Sequence, residues 1–182
     1  MYAHTNIHLC VCVCILLYRV MYIDVYPHGA TLTVRLFGGH GKHIKRKLAD
    51  EHAMIDLNIK ALVTLSHVYG GKMAARGSGH ILQVGSTAGF MPGPLQAVYF
   101  ATKAFVNSFS QALDQELRCD GVTCTVLAPG YVETEFANRA NLGGTDLIKS
   151  STSAESVAKH GYDAMIARKL VTVNEQQLNI LI

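Results

Sequence analysis

From residue 44 onward the chain alternates between two periods of apolar residues. In "LADEHAMIDLNIKALVTLSHVYGGKMAARG", Met54, Leu57, Ala61, Leu62 and Leu65 recur at helical spacing and the pattern stops at glycines, which predicts an amphipathic helix. "HILQVGS", residues 80–86, is a short run of strand formers with a turn after it. "LQAVYFATKAFVNSFSQALDQELRCDG" returns to helical spacing and closes on Gly121. "VTCTVLAPG", residues 122–130, predicts a strand that runs into a Pro-Gly turn. "SAESVAKHGYDAMIARK", residues 153–169, predicts a Ser-capped helix, and "LVTV", residues 170–173, a last strand.

Helix, strand, helix, strand, helix, strand is the alternation of an α/β fold, a parallel sheet covered by helices. Crossovers of this length favour a doubly wound, Rossmann-like sheet with helices on both faces. Such sheets bind ligands at the carboxyl ends of their strands, where Ser86, Pro129 and Gly130 fall. The first forty residues have strand-like pieces but no such rhythm, and a composition shift near residue 37 marks a boundary.

Length and composition narrow the classes. The 182 residues suffice for one domain, and 49% apolar with 16% charged residues excludes disorder. A net charge of +3 is small, and the basic run at residues 42–47 has no interleaved aromatics, so it reads as a solvated helix start rather than a nucleic-acid site. Cys10, Cys12 and Cys14 lack metal-ligand spacing and a second ligand cluster, so no metal is expected. Without a disulfide framework, a reducing, cytoplasmic setting is the default. The apolar run at residues 9–18 is too short to span a bilayer, ends at Arg19 and has no basic leader, which argues against a membrane or secretory role. An anchor over residues 7–18 stands as the alternative.

The candidate chemistry lies in "VGSTAGFMPGPLQAVYFATKAF". Tyr99 and Lys103, four apart, share a helix face, and Ser86 lies thirteen positions ahead at a strand end. A neighbouring cation stabilises phenolate and lowers a tyrosine pKa, which makes the phenol a general acid or base. A serine hydroxyl beside it could hold a carbonyl oxygen. A Tyr-x-x-x-Lys pair alone is a weak signal.

"GSTAG", then "YFATK", then "LAPGYVETEF", in that order, with Asn58 in "MIDLNIKA", resemble the short-chain dehydrogenase/reductase family over residues 37–182. The resemblance implies an NAD- or NADP-dependent oxidoreductase that reduces a small carbonyl or oxidises an alcohol. It assigns proton transfer to Tyr99, and to Lys103 the tuning of Tyr99 and the nicotinamide ribose. Ser86 would orient the substrate, and Asn58 would hold a relay water. Pro129, Gly130, Val132 and Thr134 would line the nicotinamide, with Thr134 near its carboxamide. Phe90, Met91 and residues 136–144 lie where members close over substrate. The same resemblance implies subunit association, with itself or a related chain.

The family's glycine-rich strand-turn-helix, which sets helix N-terminus and backbone amides against a pyrophosphate, has no counterpart here. Gly39 and Gly41 begin such a motif, but Ile44 stands at its third glycine. Thr33, Val34, Arg35 and Leu36 stand where the family carries Asn-Asn-Ala-Gly. Residues 1–36 therefore read as an atypical segment, and residues 37–182 as a partial catalytic domain whose sheet is incomplete on its N-terminal side. The alternative function is a catalytically impaired remnant that acts through helix-mediated association.

Overall fold

The computed structural model describes residues 22–26, 29–33, 39–130, 132–133 and 152–174. Strands β1 (Tyr22–Tyr26) and β2 (Gly29–Thr33) pair antiparallel. A 3-10 turn, His43–Lys45, leads into α1 (Leu48–Ile55), a wide π-helical turn (Asp56–Ala61) and α2 (Leu62–Arg76). Then come β3 (Gly79–Val84), a 3-10 turn (Thr87–Phe90) and α3 (Ala97–Leu117). A last 3-10 turn, Arg118–Asp120, precedes β4 (Val122–Leu127). Two short strands, β5 (Val132–Glu133) and β6 (Thr152–Ser153), precede α4 (Ala154–Ile166) and β7 (Val171–Thr172).

β3, β4 and β7 form a parallel sheet in that spatial order. β3 and β4 are in register from Gly79 opposite Val122 to Val84 opposite Leu127. The pairing continues past the strand tips, with Gly85 N donating to Leu127 O at 2.8 Å and Thr87 N to Pro129 O at 3.0 Å. β2 lies against β3, while β5 and β6 pair parallel near α4. All six residues of β4 are buried, as a central parallel strand requires.

Side chains alternate across this sheet, so helices can cover both faces. Ile81, Val122 and Cys124 pack with Met73 of α2 and with Leu113 and Leu117 of α3. On the other face Leu82 and Leu127 pack with Val157 and Met165 of α4. Burying each such side chain contributes about 1.5–3 kcal/mol, which favours this layering over an open sheet. Burial and the Asp114 carboxylate push the Cys124 thiol up to about 12, so it sits in the core as a small neutral hydrophobe. The doubly wound arrangement is therefore present with three parallel strands among the described residues.

Three details differ from the sequence reading. Gly70 and Gly71 lie inside α2, which runs on to a left-handed stop at Gly77. The π-helical turn interrupts what the apolar spacing presents as one uniform helix. The basic run before α1 is mostly exposed, but Arg46 turns inward and pairs with the buried Glu51. Ser153 caps α4 as expected, accepting from Ser156 N at 3.2 Å. Cys10, Cys12 and Cys14 lie outside the described residues, and no helix among those described is long and apolar enough to cross a membrane.

Two glycines give stability predictions of opposite sign. Gly121 has φ of +76° and a Cβ there would lie 2.2 Å from the Gly77 carbonyl oxygen. Gly121→Ala should cost more than the about 1–2 kcal/mol of left-handed strain alone. Gly71 lies within α2 and a Cβ there meets nothing within 4 Å, so Gly71→Ala should stabilise by about 0.5–1 kcal/mol. Urea unfolding of both variants measures the two signs.

Candidate active site

The site is assembled on the carboxyl tips of β3 and β4 by one face of α3. That face buries Tyr99, Thr102, Lys103, Val106, Asn107, Ser110 and Asp114. Tyr99, Lys103 and Asn107 follow each other at four-residue steps, so one stripe of the helix carries all three. Asp114 fixes the far end of α3 to β4: its Oδ1 accepts from Cys124 N at 2.8 Å, and Oδ2 from Arg118 Nε at 2.5 Å.

Ser86 directly follows Gly85 at the tip of β3. It is buried, with an Oγ that accepts from Ala88 N at 3.1 Å and donates to Pro129 O at 3.4 Å. Its hydroxyl acts on the Tyr99 phenol in the direction that favours phenolate. The Lys103 ammonium is 2% exposed and donates to Val84 O, the last carbonyl of β3, at 2.9 Å. Asn58 is buried on the π-helical turn and its Nδ2 donates to Thr102 Oγ1 at 3.0 Å. Thr102 Oγ1 in turn donates to Tyr99 O at 2.8 Å, so the turn is tied to the helix at Tyr99. Asn58 Oδ1 has no partner among the described residues.

Ser86, Tyr99, Lys103 and Asn58 are thus brought together. Pro129 and Gly130 follow the tip of β4, where Gly130 N donates to Asn174 Oδ1 at 3.3 Å. Val132 packs against the apolar cluster under α4. Phe90 and Met91 are 40% and 48% exposed beside Ser86. Thr134 and residues 136–144 lie outside the described residues. Thr102, Asn107 and Asn174 escaped the sequence reading. The signal for Asn107 was its place one turn beyond Lys103 on the Tyr99 stripe; Thr102 and Asn174 carry no comparable one.

Electrostatics depart from expectation at Tyr99. The sequence reading has Lys103 lowering the phenol pKa, whereas burial acts first and raises it above 10.0, with the Ser86 hydrogen bond pulling the other way. A phenol so placed is fully protonated at neutral pH.

Tyr99 should therefore titrate above the ordinary tyrosine value in ring carbon-13 spectra, its signal assigned by Tyr99→Phe. Ser86→Ala should raise it further, because the hydroxyl that favours phenolate is gone. Because the folded value is raised, the stability linked to Tyr99 is fully present below about pH 10 and is lost as pH rises through the folded value. Denaturation across that window should be shallower in Tyr99→Phe.

Comparison with known proteins agrees with the fold. The short chain dehydrogenase family model matches residues 18–143, a span that takes in the β1–β2 hairpin. The NADP-dependent 3-hydroxy acid dehydrogenase YdfG of Escherichia coli K12 is 35% identical over 159 residues, covering 87% of this chain and 62% of that protein. Sulfoacetaldehyde reductase 2 of Chromohalobacter salexigens is 47% identical over 90 residues, 49% of this chain and 36% of that one. A short-chain dehydrogenase from Sphingobium yanoikuyae, solved in complex with NADPH, superposes with a TM-score of 0.70 at 26% identity, over 80% of this chain and 58% of the other. The chain thus spans between 36% and 62% of the length of these relatives. With a family match over most of its length and a parallel sheet of the same kind, the chain belongs to the short-chain dehydrogenase/reductase family.

Proposed function

We propose that the chain carries the proton-transfer half of a nicotinamide-dependent oxidoreductase, with Tyr99 as general acid for carbonyl reduction and general base for the reverse. The observation that carries this reading is the burial of Tyr99 and Lys103 on one stripe of α3, with the buried Ser86 hydroxyl at the adjoining strand tip. Ser86 Oγ lies where it can hold a carbonyl oxygen, and Tyr99, kept protonated by burial, gives its proton to that oxygen. Lys103, buried one turn along the same stripe, is the cation that would favour the phenolate left behind. Asn58, through Thr102, holds the Tyr99 turn of the helix in place.

A bound NAD or NADP would supply or accept the hydride. The nicotinamide end fits the residues present: Tyr99 and Lys103 offer a hydroxyl and an ammonium at the strand tips, and Pro129 and Gly130 leave β4 beside them. The glycine-rich turn for the pyrophosphate is not among the described residues. The substrate class is a small carbonyl compound or alcohol. The free thiols Cys119 and Cys124 accord with a cytoplasmic setting.

Association with a second copy or a related subunit is the other reading. Leu48 on α1, 61% exposed, and Val63 and Val68 on α2, 37% and 42% exposed, favour it as apolar residues left open on these two helices.

Fluorescence titration with NADPH, followed by a carbonyl reductase assay, separates the readings. The enzyme reading expects saturable micromolar binding, and Tyr99→Phe should lower turnover by about 10²–10⁴-fold while the chain stays folded. Turnover that survives in Tyr99→Phe would assign the chemistry elsewhere. No binding at millimolar NADPH, together with self-association in sedimentation, would favour the helix-face reading.

A further inference from the structure

Asn107 occupies the third position of the Tyr99–Lys103 stripe and is 3% exposed. Its Nδ2 donates to the Ser86 carbonyl at 3.0 Å. The turn that carries Ser86 is shaped around this amide. A Cβ on Gly85 would lie 2.0 Å from Asn107 Oδ1, and one on Gly89 would lie 2.4 Å from Nδ2. Both glycines of "GSTAG" therefore leave space that the Asn107 side chain fills. A buried amide without partners costs about 1–3 kcal/mol, and Oδ1 already has none among the described residues. That makes the Nδ2 bond the polar anchor of this side chain.

We propose that Asn107 is a positioning residue of the site: its amide holds the Ser86 carbonyl and thereby aims the Ser86 hydroxyl at Tyr99. The inference rests on the reading of Ser86 and Tyr99 as the reacting pair, and Asn107 acts only through Ser86. Ser86 has an extended backbone, φ −171°, with its side chain turned to Ala88 N. The Asn107 bond to the Ser86 carbonyl holds the turn whose Ala88 N donates to Oγ, and so keeps the rotamer that this donor selects. Val84 O, two residues earlier, is held by Lys103. Successive turns of α3 thus clamp alternate carbonyls at the tip of β3.

The test is a double-mutant cycle read on the Tyr99 ring titration, which needs neither cofactor nor substrate. Asn107→Leu keeps the volume and removes the donor; Asn107→Ala removes the donor without adding a charge. Either should raise the Tyr99 titration, in the same direction as Ser86→Ala. Combining either with Ser86→Ala should add little, because both act on one hydrogen bond. In the unsubstituted chain the Asn107 Nδ2 protons should exchange slowly with solvent. An unshifted Tyr99 in folded Asn107 variants, a fully additive cycle, or fast exchange at Nδ2 would overturn the proposal. If Ser86→Ala itself leaves Tyr99 unmoved, the reading of the reacting pair falls, and this inference falls with it.

Discussion

Lys103 holds a cation almost without access to water, and that fact constrains how α3 can lie on the sheet. A buried ammonium needs acceptors around it, because leaving it bare costs several kcal/mol. One acceptor is the last carbonyl of β3. Meeting it fixes the rotation of α3 about its axis, and the residue one turn earlier, Tyr99, must then face Ser86. Rotating the helix by a residue to hide a different stripe would strand the ammonium and Asp114 together, since Asp114 is tied to Cys124 N at the other end. The polar groups on this face specify the register, and Val106, packed on Leu62 of α2, adds the apolar driving force.

Periodicity made most of the fold legible. The spacing of Met54, Leu57, Leu62 and Leu65 marked a helix, the short runs before Ser86 and Pro129 marked strands, and their alternation pointed to a parallel sheet. The π-helical turn was not legible, because one extra residue in a turn shifts apolar spacing no more than ordinary scatter does. The pairing of β5 with β6 joins residues far apart in the chain and has no local signature. The hairpin of β1 and β2 showed only as strand-like pieces.

The site was legible to the same degree. Four-residue spacing brought Tyr99 and Lys103 together, and the strand end brought Ser86. The direction of the Tyr99 pKa was not, since burial is a tertiary quantity and it outweighs what a neighbouring cation suggests from sequence. Asn107 carries one sequence signal, its place a turn beyond Lys103; its meaning comes from Gly85 and Gly89 across the crevice. Where the polar groups converge, the structure adds what a one-dimensional pattern lacks.

The chain spans only part of the length of its relatives, so contact with a nicotinamide cofactor is expected at the strand tips and not along the whole cofactor. Amide chemical-shift mapping during addition of NADPH tests that claim most directly. The account predicts shifts clustered at Gly85 and Ser86, at Tyr99 to Lys103, and at Gly130. Shifts confined to other surfaces, or a spectrum unchanged at millimolar NADPH, would contradict it.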